Sequence, residues 1–222
     1  MSIAHNIHTV TQTLAGTGCR LIAVTKTKPL EMLLEAYGAG CKLFGENRVQ
    51  EMVEKYEQLP KDIEWHLIGH LQTNKVKYMA PFVTLVHSVD SLKLLQEIDR
   101  QAARHGRVIE CLLQIYIARE ESKFGLSFDE ARELLAAPET AALANVRIVG
   151  LMGMATFTDD REQIRAEFRS LKAFFESLQQ SPLPANAEMR ELSMGMSGDY
   201  DLAVAEGSTL IRVGSSIFGS RQ

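Results

Sequence analysis

The chain has 222 residues, 45% hydrophobic and 23% charged, with a formal net charge of −4, a composition suited to a soluble protein with one large core. It contains no Lys/Arg-rich block, no basic start followed by an apolar run, and no apolar window of membrane-spanning length. This argues against a general nucleic-acid or anionic-membrane surface, a signal peptide and a transmembrane segment.

In chain order, short β-branched runs alternate with longer amphipathic ones. Residues 20–25 (RLIAVT) read as the first strand, and Pro29 suits the first turn of the helix behind it. Residues 42–44, 64–68 and 83–89 supply three more strands. Ser91 can cap a helix over 92–105 that ends ahead of Gly106. A fifth strand follows over 108–117, and Ser127 with Glu130 forms a capping box for a helix reaching about Ala137. Residues 146–152 read as strand six. The longest helix pattern, 158–180, carries Ile164, Phe168, Leu171, Phe175 and Leu178 on one side, and residues 181–186 (SPLPAN) form a loop. Residues 191–194 and 210–214 complete eight strands. Eight strand–helix repeats with right-handed crossovers predict an α/β fold, a (β/α)8 TIM barrel, as one domain over 1–222. A doubly wound open sheet is the alternative, disfavoured because no G-x-G-x-x-G follows strand one. Cys19, Cys41 and Cys111 are odd in number and scattered, as expected for reduced cytoplasmic thiols.

Side-chain alternation separates the lysines that end strand one. Ile22, Val24 and Lys26 share one face, and Leu21, Ala23 and Thr25 the other, so Lys26 continues an apolar row into the barrel. Lys28, ahead of Pro29, is expected to be extended and solvated. Barrel active sites sit at the C-terminal mouth. There, partial desolvation disfavours an ammonium and leaves more free amine to attack a carbonyl. A lysine snorkelling to the rim remains the alternative on these residues alone. At the other end of the chain, "SMGMSGDY" (193–200) and "RVGSSIFG" (212–219) are small glycine-bearing turns after strands seven and eight, where barrels recurrently bind phosphate. A carbonyl-seeking lysine facing two such turns suits a ligand that carries both an aldehyde and a phosphate.

The segments "AVTKTKP", "FGENRVQE", "EWHLIGHLQTNK", "VHSVDSLK", "EESKFG", "GLMGM", "LSMGMSGDYDLAVAEGSTLIRVGSSIFG" and the final "SR" cover nearly all of residues 20–221 in order. In them the sequence resembles the pyridoxal phosphate homeostasis proteins, single-domain relatives of the barrel of alanine racemase. The resemblance implies a PLP fold type III barrel with an extra N-terminal helix over about residues 2–15. It implies pyridoxal 5′-phosphate held as an internal aldimine on Lys26. It further implies phosphate contacts from Ser193, Met194, Gly195 and Ser197 and from Gly214 and Ser215, with Arg212 close to the cofactor and Asn47 in the pocket wall. The sequence departs from its relatives at Tyr116 and Ala118.

Pyridoxal phosphate is the strongest electron sink when an acid keeps its ring nitrogen protonated. Neither turn nor strand eight offers an obvious Asp or Glu for that, and Arg212 favours an unprotonated nitrogen. Racemisation also needs a second acid/base on the opposite face of the substrate carbon. In alanine racemase that group is a tyrosine associated with an additional domain, which the barrel leaves no chain to build. The expectation is therefore a non-catalytic carrier or regulator of pyridoxal phosphate, a monomer, with apo PLP-dependent enzymes and amino acids as candidate partners. An amino-acid racemase is the alternative, and barrel plus lysine without the resemblance would suggest a Schiff-base aldolase. His66 and His70 have a metal-like spacing but lack the glutamate of a metalloprotease helix, so no metal is expected, while His66 is a candidate for the pocket wall. Most charges of "ENRVQEMVEKYEQ" are expected on a solvated helix face. The methionines of "LMGMAT" and "SMGMS" suit packing as well as cofactor contact.

Overall fold

β-branched and leucine-rich runs, each buried on both faces, form parallel strands that need helical crossovers to return the chain. A computed structural model describes residues 2–119 and 124–219. Its strands are β1 (Arg20–Val24), β2 (Leu43–Glu46), β3 (Glu64–Leu67), β4 (Leu85–Val89), β5 (Ile109–Tyr116), β6 (Val146–Met154), β7 (Ala187–Met196) and β8 (Leu210–Val213). All pair in parallel and in chain order, and β1 closes on β8, so the sheet is a closed eight-stranded barrel. The open-sheet alternative is thereby excluded.

The connecting helices are α2 (Leu30–Gly38), α3 (Val49–Gln58), α4 (Val76–Met79), α5 (Leu92–Arg104), α6 (Phe128–Ala136), α7 (Pro138–Ala141), α8 (Arg161–Gln179), α9 (Tyr200–Ala205) and α10 (Ser215–Phe218). Their ends follow local chemistry. Ser91 accepts from Leu94 N–H to start α5, the Ser127–Glu130 capping box starts α6, and Asp160 accepts from the Glu162 and Gln163 N–H groups to start α8, each tying down donors the helix itself leaves open. Pro29 sits at the N-cap of α2, one position earlier than expected. An N-terminal helix, α1 (Ile3–Thr13), packs against α2, α10 and β1. Its Asn6 side chain donates to Ile217 O at 2.8 Å, and Glu35 accepts from the Ile3 N–H at 3.0 Å. Because α10 is one turn long, α1 supplies the helix that shields the seam between β8 and β1.

Alternation divides the strands between two buried regions. Trp65 and Leu67, Val86 and Val89, Leu192 and Met194, and Ile211 and Val213 point outward into the large layer between sheet and helices. Ile22, Leu85, Leu112, Val149, Met152 and Leu210 form a small cluster inside the barrel. The inward set on the same strands also contains His66, His87, Ser193 and Arg212, all buried.

Candidate functional site

At the C-terminal ends of the strands lies a cavity of about 440 Å³ whose walls include Val24, Lys26, Asn47, Ser197, Asp199, Arg212, Gly214 and Ser215. Its size falls within the ~300–1,000 Å³ of small-molecule sites. Alternation along β1 brings Lys26 there: Ile22 belongs to the inner cluster, Val24 lines the cavity, and Lys26 follows two residues later. Thr27 then turns with φ 63°, the one positive φ outside glycine among the described residues. That turn sends Lys28 away toward the C-terminal segment, where its Nζ donates to Gly219 O at 3.2 Å and Phe218 O at 3.4 Å. Lys28 is thus half-buried rather than solvated.

The backbone on both sides of Lys26 is held by a buried ion network. Lys55 Nζ donates to Thr25 O at 2.7 Å, to Glu46 Oε1 at 2.6 Å and to Glu51 Oε1 at 2.7 Å. Glu46 also accepts from the Thr25 hydroxyl at 2.6 Å, and Glu51 from the Thr27 N–H at 2.5 Å. Burial raises the Glu46 carboxyl above its usual range, against the pull of Lys55. Lys55 is only 6% exposed, so the expectation that α3 carries its charges on a solvated face fails for this residue. The available signal was its position one helical step beyond Val49 and Met52, the buried residues of that face.

Two turns make the opposite wall. Ser197 Oγ accepts from the Gly214 N–H at 3.1 Å and joins the turn after β7 to the turn after β8. Nothing lies within 4 Å of where a Cβ on Gly198 would stand, and a Cβ on Gly214 would meet Val24 at 3.3 Å. Asp199 closes its turn by accepting from the Met196 N–H at 2.6 Å. Burial raises its carboxyl, opposed by that N–H and by Arg212. The sequence reading assigned no acid of these turns to the cofactor's ring nitrogen; the Asp199 carboxyl, the Asx residue of "SGDY", closes its own turn. Asn47 is set by close approach, because a Cβ on Gly69 would stand 2.4 Å from Asn47 O. The rim is apolar, with Met154, Met196 and the 98% exposed Phe157 on one side.

The structure corrects four expected positions. β7 runs to Met196, so Ser193, Met194 and Gly195 belong to the strand and not to a mouth loop. Ser193 is buried inside the barrel, Met194 packs in the outer layer, and Gly195 has φ +96 with a Cβ direction blocked at 2.5 Å by Ala203. His66 is buried in the interior and lines a cavity at the opposite end, with Arg20, Glu64, Glu110, Arg190 and Glu191. His70 is exposed, 3.9 Å from Asp90, and takes no part in that cavity. Of the "EESK" run of the motif, residues 120–123 lie outside the described residues, as does the final "SR".

The lining chemistry suits an anionic aldehyde: an amine at Lys26, hydroxyls at Ser197 and Ser215, two glycine turns and the Arg212 guanidinium. The family model described as alanine racemase, N-terminal domain, matches residues 1–222. A relative from Aquifex aeolicus named pyridoxal phosphate homeostasis protein is 40% identical over 209 residues, covering 93% of this chain and 90% of its own. The human protein of that name is 42% identical over 214 residues, covering 91% of this chain and 76% of its own. PipY of Synechococcus elongatus, solved without and with PLP bound, matches with TM-scores of 0.90 and 0.87 at 39% and 38% identity, covering 98% of this chain and all of PipY.

Proposed function

Because this chain belongs to the pyridoxal phosphate homeostasis protein family, we propose that it binds pyridoxal 5′-phosphate in the barrel mouth and serves intracellular vitamin B6 homeostasis as a carrier or regulator. The observation that carries this reading is the single cavity shared by Lys26 and the two glycine turns. Lys26 supplies the amine for reversible covalent attachment. Ser197, Gly198, Gly214 and Ser215 would hold the phosphate, and Arg212 and Asn47 would complete the wall around the rest of the cofactor. When bound, pyridoxal phosphate supplies an electron sink for amines attached to its aldehyde carbon.

Rapid turnover would require a second proton donor or acceptor across the cavity from Lys26. Among the described residues no tyrosine, histidine or cysteine lines the cavity, and the one carboxyl in its wall, Asp199, is engaged in closing its own turn through the Met196 N–H. Tyr200 packs against the outer layer, and Tyr116 lines a neighbouring hollow. Arg212, a cation in the cavity wall, would disfavour a protonated ring nitrogen and so weaken the electron sink. Both points favour a non-catalytic role over racemase activity. Residues 1–222 are read as one barrel domain, acting as a monomer in the cytoplasm; three unpaired, buried cysteines support a reducing compartment. Apo PLP-dependent enzymes and amino acids are the candidate exchange partners.

The purified protein is expected to be yellow with pyridoxal phosphate. After borohydride reduction, peptide mapping should find the label on Lys26, and Lys26→Ala should lose both colour and label. Label on Lys28, or none, refutes the assignment. Exchange of the alpha proton of alanine or serine in proportion to protein concentration would favour a racemase, and a colourless protein trapped by borohydride only with a sugar phosphate would favour an aldolase.

A further inference from the structure

The barrel interior carries a polar column between its two ends. Arg212 Nη1 donates to Ser193 Oγ at 2.5 Å, Ser193 Oγ lies 3.0 Å from His87 Nδ1, and His87 Nε2 lies 3.0 Å from His66 Nδ1. Arg212 lines the mouth cavity, and His66 lines the cavity at the far end. β8, β7, β4 and β3 each contribute one inward residue, so the column crosses the barrel rather than following one strand.

Its direction follows from donor counting. A guanidinium has donors and no acceptor, so Ser193 Oγ must accept from Arg212. The hydroxyl's own hydrogen is buried and requires an acceptor, and His87 Nδ1 is the partner in reach. That nitrogen therefore carries the lone pair, and Nε2 of His87 carries the hydrogen. His66 Nδ1 must then accept, which leaves the hydrogen of His66 on Nε2, toward the far cavity. The reverse direction strands the Ser193 hydrogen in the interior without an acceptor, which costs stability. Burial holds both rings neutral: His66 is pulled down to about 3, and His87 well below its usual value, with His66 and Arg212 adding to the effect.

We propose that Ser193, His87 and His66 are positioning residues, a one-way hydrogen-bond chain that aims the Arg212 guanidinium at the cofactor in the mouth. With its hydrogen committed to His87, Ser193 offers Arg212 only lone pairs. Arg212 is fixed a second time by Gly153 O, 3.0 Å from Nη2, so its other N–H groups are left for the mouth. Without the His87 acceptor, the hydroxyl can turn its hydrogen toward the guanidinium and the aim is lost. The inference rests on the reading of the mouth as the pyridoxal phosphate site.

The test uses the full chain labelled with ¹⁵N-histidine, before and after addition of pyridoxal phosphate. Long-range ¹H–¹⁵N spectra at pH 6 should find His66 and His87 neutral with hydrogen on Nε2. Hydrogen on Nδ1 of either ring, or a charged ring, overturns the proposal. A second readout exploits polarity. In His87→Gln the side-chain carbonyl can accept from Ser193 and the amide can donate to His66, whereas His87→Leu can do neither. The Gln variant should bind pyridoxal phosphate within about twofold of the parent and the Leu variant about tenfold more weakly. Equal affinities in the two variants overturn the chain's role. Should the Leu variant fail to fold, Ser193→Ala takes its place, with the same loss expected and an unchanged affinity decisive against the proposal. If the parent itself does not bind pyridoxal phosphate, the reading of the mouth falls and the role for Arg212 with it, whereas wrong tautomers in a parent that binds refute the chain alone.

Discussion

Thr27 concentrates the local cost of the site in one residue. A β-branched residue at φ 63° is a true outlier, worth about 1–3 kcal/mol of strain. It persists because the Thr27 N–H is held by Glu51 at 2.5 Å, and its effect is to let Lys26 point inward while Lys28 leaves along the C-terminal segment. Glycine has no such penalty but loses about 0.5–1 kcal/mol of backbone entropy on folding. Thr27→Gly should therefore be more stable than the parent by about 1 kcal/mol in urea unfolding. Pyridoxal phosphate should bind the variant more weakly, since the lysine is then less constrained, a trade common where strain serves a site. A variant that is less stable than the parent would show that the turn is not strained.

Among the elements, the mouth end of β1 is anchored by β2 and α3. Glu46 ends β2, and Lys55 and Glu51 come from α3 one turn apart; Glu46 accepts from the Thr25 hydroxyl, Lys55 donates to Thr25 O and Glu51 accepts from the Thr27 N–H. Removing the cation leaves the Glu46 carboxyl buried without its partner, so Lys55→Met should cost about 3–5 kcal/mol in urea unfolding. Lys55→Met with Glu46→Gln should recover much of that loss, because the second change removes the stranded charge. If the double variant is no better than the single one, packing and not charge accounts for the loss. This network also marks where sequence reading stops. Period-two alternation was enough to put Ile22, Val24 and Lys26 on the inner face, and caps at Ser91 and Ser127 located helix starts, because both signals are local. Burial of Lys55 depends on Thr25 and Glu46, which only the closed barrel brings to it. Likewise no local pattern says that β7 continues to Met196. Ending that strand at residue 194 left Gly195 and Met196 to the turn, and the glycine-bearing run over 193–200 drew Ser193 and Met194 to the mouth with them, while the histidine pair of β3 and β4 was invisible as a pair because barrel closure, not spacing, joins it.

At the scale of the whole molecule, folding takes two imidazoles out of water. His66 and His87 are neutral in the barrel, with His66 pulled down to about 3 and His87 well below its ordinary value by burial, whereas in the unfolded chain each titrates near the ordinary ~6.5. The folded state therefore binds fewer protons than the unfolded state once the pH drops below about 6.5, and stability falls as the solution is acidified. At pH 5 His66 is still neutral in the folded protein, so its loss depends only on the unfolded value, about 2 kcal/mol between pH 7 and pH 5, and His87 adds a loss of the same sign. Glu46 and Asp199, whose carboxyls are raised by burial, act in the opposite sense. Folding keeps their protons longer, which adds stability as the pH falls through the window just above the ordinary carboxylate range and flattens the curve at its acid end. Urea unfolding at pH 7 and pH 5 should show a larger loss in the parent than in His87→Gln, which carries no titrating ring at that position. Equal pH dependence in the two proteins would mean that His87 takes up its proton inside the folded barrel, a state that turns its Nδ1 into a donor to Ser193 Oγ and strands the Ser193 hydrogen without an acceptor.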